Sequence, residues 1–190
     1  EAEKDYQMAS GISDSIEPVD NIFTLTKARI PWLLIGMIGG LLGAQIIGLF
    51  HIEDNPILAF FIPLIAAMGG NVGVQSSAII VQALATKSLG LDNWSKRFIK
   101  EFGVALINGL ICCIILFFVC ALLYPEPRIP ITVSISLLTV MVFAALFGTF
   151  VPLMLNKYKI DPALATGPFI TTMNDVIGLF IYFSIAEWIL

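Results

Sequence analysis

Five long apolar runs, separated by short polar breaks, constrain the fold of this chain more than any other feature. The hydrocarbon core of a bilayer is about 30 Å thick, and a helix needs roughly 20 apolar residues to cross it. The sequence therefore predicts an all-α, polytopic membrane protein with five transmembrane helices. The runs cover residues 29–50, 56–86, 98–124, 131–155 and 162–190.

Composition and charge exclude several other classes of protein. The chain is 58% hydrophobic and 13% charged, which is far more apolar than a soluble domain. Its formal net charge of -4 leaves no basic stripe to neutralise phosphates, so nucleic acid is excluded as a partner. Cys112, Cys113 and Cys120 all fall in one apolar run without a zinc-binding spacing, and we interpret them as packing residues.

The positive residues predict the orientation of the spans. Lys and Arg near the ends of membrane helices stay on the cytoplasmic side. Nine of the ten positive residues agree with a cytoplasmic N-terminus, five crossings of the cell membrane and an extracytoplasmic C-terminus, and Arg128 is the exception. The nine are Lys4, Lys27, Arg29, Lys87, Lys96, Arg97, Lys100, Lys157 and Lys159.

The first residues differ in kind from the rest of the chain. Residues 1–23 contain six acidic residues and a single lysine. We expect residues 1–23 to be a cytoplasmic connecting helix or linker and residues 24–190 to be the transmembrane domain.

Asp175 lies near the centre of the fifth run, where a carboxylate is costly to place in a membrane. The other charged residues of the runs sit near their ends, and no Lys or Arg lies deep in the membrane to pair with Asp175, so its counter-charge is mobile or it is protonated. Helical spacing predicts a stripe of Thr171, Asp175 and Tyr182 on one face, with Gly167 below it. Such a stripe suits the wall of a water-filled path. The alternative is a side chain that hydrogen-bonds across a helix interface.

The second run carries a polar, glycine-rich centre at the same predicted depth as Asp175. Gly69, Gly70 and Gly73 weaken a helix and could leave backbone carbonyls free. Asn71 and Gln75 are one turn apart and place two amides on one face. These groups are oxygen ligands for a hard cation. Close helix packing through small residues is an alternative reading of the glycines.

In the first run, glycines recur at four-residue spacing, a pattern that favours close helix packing over ion chemistry. They are Gly36, Gly39, Gly40 and Gly43.

The residue types near Asp175 favour Mg²⁺ among the divalent cations. Mg²⁺ keeps several of its waters and is held by one or two carboxylates, which fits one Asp from each of two chains that share a pore. Few soft ligands lie near Asp175 and Asn71, which weighs against zinc and copper.

Two long segments resemble the signature segments of the MgtE family of magnesium channels. They are "PLIAAMGGNVGVQSSAIIVQALAT" and "DPALATGPFITTMNDVIGLFIYFSIA", and the five-span layout also matches the membrane domain of that family. The resemblance implies a pore at a homodimer axis, lined by the second and fifth helices. It assigns hydrated Mg²⁺ binding to Asp175, with the backbone at Thr171 and the turn from Gly70 to Gly73, including Asn71.

Two departures from the family pattern accompany the resemblance. Gly167 stands at the predicted site where the family has Asn, so no side-chain ligand is available at that level. The cytoplasmic N-terminal domain and the CBS sensor domains of the family are absent from this sequence. We therefore expect weakened gating by cytoplasmic Mg²⁺.

The sequence thus predicts a homodimeric membrane protein that transports Mg²⁺, with other divalent cations as further possible substrates and lipid as its surroundings. One alternative is a proton-coupled cation transporter in which Asp175 carries the proton. Another is a non-conducting membrane subunit. No nucleophile–base pair, catalytic metal cluster or nucleotide loop indicates an enzyme.

Overall fold

The computed structural model describes residues 10–13, 16–50, 55–86, 94–165 and 167–190. Most of the predicted connecting segment, including Lys4, lies outside the described residues, as does Lys87 between the second and third spans. Within the described residues, five helices are long and apolar enough to cross a membrane, which confirms the predicted fold class. They are α1 (Ile22–Leu49), α2 (Ile62–Ala85), α3 (Trp94–Leu123), α4 (Arg128–Lys157) and α5 (Pro168–Ile189).

Local sequence explains where several helices begin and end. Asn21 caps α1, because its side-chain oxygen accepts a hydrogen bond from the Thr24 N–H at 2.9 Å. A short 3-10 helix, Pro56–Phe61, leads into α2. Helix α5 begins at Pro168, whose fixed φ suits the first helical position, after Gly167 turns the chain with a φ of 57°.

Helix α1 starts earlier than predicted and includes Lys27 and Arg29, and α5 starts later. The residues predicted to open the fifth span instead form a separate 3-10 helix, Pro162–Ala165. The larger difference from the prediction is in α2, which runs without a break through Gly69, Gly70 and Gly73. The prediction of a glycine turn with free carbonyls is therefore wrong, because helical hydrogen bonding continues through it.

Helix α4 is the most buried helix and packs against α2, α3 and α5. Helix α1 packs on α5. The apolar core lies where α2, α4 and α5 meet, around Ile65, Val140 and Phe183. Large apolar side chains on α1 and α3 remain exposed, as expected for surfaces that contact lipid. They include Leu33, Met37, Leu41, Ile107, Ile111, Ile115 and Phe118.

Candidate ion-binding site

The side chain of Asp175 lies where α5 faces α2, at the wall of a cavity of about 320 Å³. Four of the six predicted site residues line this cavity together. These four are Asp175 and Thr171 on α5, with Gly70 and Asn71 on α2. Gln75, the second amide that the spacing placed on this face, also lines it.

Gly70 allows the two helices to approach closely at the cavity. A Cβ at this position would lie 3.1 Å from Cγ2 of Thr171 and 3.7 Å from Oδ1 of Asp175. A larger side chain would therefore occupy the space beside the carboxylate. Gly70 keeps that space open, although its carbonyl belongs to a continuous helix and keeps one lone pair beyond its helical hydrogen bond.

Gly167 lies at the N-terminus of α5 and does not line the cavity. Its carbonyl accepts hydrogen bonds from the N–H and the hydroxyl of Thr171, both at 3.0 Å. The hydroxyl of Thr171 is thereby satisfied within α5. Gly167 thus orients Thr171 through its backbone.

Gly73 packs between helices, so the structure does not bring it to the cavity. A Cβ on Gly73 would collide with the amide of Asn174 and would lie 2.9 Å from Cγ2 of Ile170. On the neighbouring helix, a Cβ on Gly148 would collide with the carbonyl of Gly73. For Gly73, the packing alternative is the one that the structure shows.

The predicted polar stripe on α5 is wrong at Tyr182. Its side chain is fully buried, and its hydroxyl donates a hydrogen bond to the Leu58 carbonyl at 2.9 Å. The spacing placed Tyr182 on the face of Asp175. However, the 3-10 helix Pro56–Phe61 covers that face farther along α5, so the stripe of cavity-lining residues ends before Tyr182.

The glycines of α1 divide into two pairs. Gly39 approaches Thr172, and a Cβ on Gly43 would lie 3.4 Å from Leu179, so this pair packs against α5 as predicted. Gly36 and Gly40 face open space. All four glycines line a second cavity of about 300 Å³, which also includes Asp175.

The carboxylate of Asp175 has no partner among the described side chains. No basic residue lines either cavity, and no described residue forms an ion pair with Asp175 or donates a hydrogen bond to it. In the described parts of the chain, no group of three or more His, Cys, Asp or Glu side chains could enclose a metal ion. The site thus offers one half-buried carboxylate with amides and backbone around it, and it is open on one side.

Glu101 is a second carboxylate that the structure buries. From the sequence it could be located only near the start of the third span, without a partner or a role. It is 7% exposed and accepts a hydrogen bond from the Ser76 hydroxyl at 2.6 Å. Arg97, one turn earlier on α3, approaches it at 3.8 Å. The i, i+4 spacing of Arg97 and Glu101 could have indicated the ion pair, but only the packing reveals the contact with Ser76.

Comparison with known proteins gives one family. A family model named MgtE and described as a divalent cation transporter matches residues 62–185. The magnesium transporter MgtE of Bacillus subtilis is 31% identical over 188 residues, which cover 98% of this chain and 42% of the relative. The protein of the same name from Thermus thermophilus is 37% identical over 170 residues, covering 87% of this chain and 37% of the relative. The magnesium transporter MgtE of Enterococcus faecalis is 31% identical over 189 residues, which cover 98% of this chain and 42% of the relative.

The chain therefore spans less than half the length of each of these curated relatives. The family match begins at the first residue of α2 and ends within α5, so it includes both helices that line the cavity.

Proposed function

Because this chain belongs to the MgtE family of divalent cation transporters, we propose that it carries Mg²⁺ across the membrane along a path that passes Asp175. The observation that carries the proposal is the unpartnered carboxylate of Asp175 at the wall of an open cavity within an apolar helix bundle. A charged group at this depth is unfavourable unless a counter-charge compensates it. A transported cation supplies that charge.

The size and chemistry of the cavity fit a hydrated ion. Six waters at about 30 Å³ each fill roughly 180 Å³, which is less than the volume of about 320 Å³ beside Asp175. Mg²⁺ releases its waters reluctantly and is commonly held by one or two carboxylates. Asn71 and Gln75 can accept or donate hydrogen bonds to those waters. Selectivity would then depend on the width of the path and on hydrogen bonds to the hydration shell.

A second copy of the chain would complete the path. Asn71 and Gln75 are exposed, and both line the open cavity of about 320 Å³ beside Asp175. Exposed amides and a carboxylate would be poorly accommodated against lipid. Pairing two copies across this face would bring the two Asp175 carboxylates toward a common axis and would shield both from lipid. This is the homodimer that the sequence predicts.

Flux into liposomes tests the proposal. The purified chain is reconstituted with a Mg²⁺ indicator inside the vesicles, and uptake is followed under an inward gradient at fixed voltage. We expect Asp175→Ala to reduce uptake at least roughly tenfold. A divalent ion about 4 Å from a carboxylate gains about 2 kcal/mol even at the dielectric of water, and 1.36 kcal/mol corresponds to a tenfold change in rate.

Glu187→Gln is the matched control, because Glu187 is an exposed carboxylate on the same helix. It should leave uptake unchanged. Light scattering in detergent should give the mass of a dimer for all three proteins. Equal uptake by wild type and Asp175→Ala, or no uptake by folded wild type, would refute the proposal.

The same vesicles separate the alternatives. Uptake that stops when the pH gradient is collapsed at constant voltage would instead support the proton-coupled transporter in which Asp175 carries the proton. A folded wild-type chain without flux would support the non-conducting subunit.

A further inference from the structure

Glu101 is a buried carboxylate near the beginning of α3 that the proposed ion path does not use. It lies seven residues into α3, or roughly 10 Å from the first residue of that helix. Its side chain is buried against α2, although the neighbouring Lys100 on the same helix is exposed. Burying a carboxylate is unfavourable unless other groups of the protein compensate its charge.

Unlike Asp175, Glu101 has partners within the chain. The Ser76 hydroxyl donates to one carboxylate oxygen at 2.6 Å, a short distance typical of hydrogen bonds to an ionised acceptor. Arg97 approaches the other oxygen at 3.8 Å from the preceding turn of α3. Both oxygens are thus engaged by the protein. The geometry fits a fixed structural bond and leaves no open side for a mobile ion.

Ser76 belongs to the helix that lines the proposed path, but to its opposite face. At 100° per residue, Ser76 is rotated by about 140° from Asn71 and by about 100° from Gln75. Asn71 and Gln75 line the cavity of Asp175, whereas Ser76 is buried and points toward α3. Glu101 therefore binds α2 on a face that does not line the cavity. The bond is made at Ser76, which lies five residues, or roughly 7.5 Å along the helix, from Asn71.

This bond joins two helices that have little other direct contact. Helices α2 and α3 each pack extensively on α4, which lies between them for most of their length. Apolar packing on α4 resists separation of the helices but resists their rotation less. A directional hydrogen bond on the back of α2 limits that rotation.

We propose that Glu101 is a positioning residue for ion transport: through Ser76, it sets the rotation of α2 and so the placement of Asn71 and Gln75 at the path. The proposal rests on the proposed function. A rotation of about 20° would move an amide group about 6 Å from the helix axis by roughly 2 Å. That displacement is larger than the width of the range of hydrogen-bond distances, about 2.7–3.2 Å, so it would break the hydrogen bonds between these amides and the waters around Mg²⁺.

The first test compares the transport of two divalent cations. Uptake of Mg²⁺ and of Ca²⁺ is measured in liposomes for wild type, Glu101→Leu, Glu101→Gln and Ser76→Ala. We expect Glu101→Leu and Ser76→Ala each to lower the Mg²⁺/Ca²⁺ uptake ratio roughly fivefold. Glu101→Gln should restore most of the ratio, because its amide oxygen can still accept the bond from Ser76.

Two further variants distinguish positioning from general damage. The double variant Glu101→Leu/Ser76→Ala should be no worse than either single variant, since both remove the same bond. Asn108→Leu, an exposed polar position on the same helix, should leave the ratio unchanged. A wild-type ratio in Glu101→Leu would overturn the proposal, as would additive effects in the double variant.

A second measurement does not depend on transport. In a background with the three native cysteines replaced by Ala, Gln75→Cys is labelled with a water-soluble thiol reagent. We expect Glu101→Leu to change the labelling rate by roughly fivefold and Glu101→Gln to leave it near that of the parent. If the wild type shows no flux, the proposed function fails, yet the labelling still decides whether Glu101 positions α2. Equal labelling in the parent and Glu101→Leu would then overturn the positioning role.

Discussion

The crossing of α2 and α4 at Gly73 and Gly148 allows a stability prediction worked from geometry. A Cβ on Gly148 would overlap the carbonyl oxygen of Gly73 and would lie 3.1 Å from both its carbonyl carbon and its Cα. These are backbone atoms of a continuous helix, so no side-chain rotation can relieve the overlap. Ordinary contact distances would require the two helices to separate by about 1 Å.

The expected destabilisation by Gly148→Ala follows from this separation. Overpacking a close contact costs about 1–3 kcal/mol, and the added methyl would offset at most about 1 kcal/mol through the better helix propensity of Ala. Gly103→Ala is the matched control, since a Cβ there would meet no atom within 4 Å. It should be neutral or slightly stabilising. Because both variants gain the same helix propensity, they should differ by the overpacking cost, about 1–3 kcal/mol in the free energy of unfolding.

Unfolding in mixed micelles with increasing SDS, followed by the fluorescence of the chain's three tryptophans, measures this difference. Uptake in liposomes should fall in Gly148→Ala as well, because α2 carries Asn71 and Gly70 with it when it moves. If Gly148→Ala were as stable as Gly103→Ala, the two helices would not be in backbone contact at this crossing, and the explanation of Gly73 as a packing residue would be refuted.

Two further predictions concern buried and half-buried polar groups. Tyr182→Phe should lower the free energy of unfolding by about 1–3 kcal/mol, because it leaves the Leu58 carbonyl without its donor; SDS unfolding should show the loss while Mg²⁺ uptake remains. Asp175→Asn should be at least as stable as wild type in Mg²⁺-free buffer. Mg²⁺ at ten times its Kd should then stabilise wild type by about 1.4 kcal/mol and leave Asp175→Asn unchanged, and stabilisation of both proteins alike would place the binding elsewhere.

The number of helices and much of the cavity could be predicted from sequence, because each depends on one helix at a time. Apolar length determines how many runs can cross a bilayer. Helical periodicity places Thr171 with Asp175, and Asn71 with Gln75, whatever surrounds them. The depth of Asn71 relative to Asp175 followed from counting residues from the membrane ends. These arguments require no knowledge of neighbouring helices.

The sequence-based predictions fail where contacts between helices decide which side chains line the cavity. Tyr182 lies on the predicted face of α5, but the face is covered at that level by a segment more than a hundred residues away in sequence. Gly73 and Gly70 have the same propensity, yet one packs against α4 and α5 and the other opens onto the cavity. The start of α5 is different, because Gly167 followed by Pro168 is a local signal that could have located it.

The contrast between the two carboxylates, Glu101 and Asp175, supports a role for the unpaired charge of Asp175. Glu101 has a hydroxyl and a guanidinium within reach, so the folded chain itself compensates its charge. The same bundle could have supplied partners to Asp175, but among the described residues it supplies none. A fixed cation at Asp175 would neutralise the carboxylate and exclude a mobile one. The proposed ion path would use both arrangements: the unpaired Asp175 on α5 would attract the cation, and the bond from Ser76 to Glu101 would fix α2, the helix that faces it across the cavity.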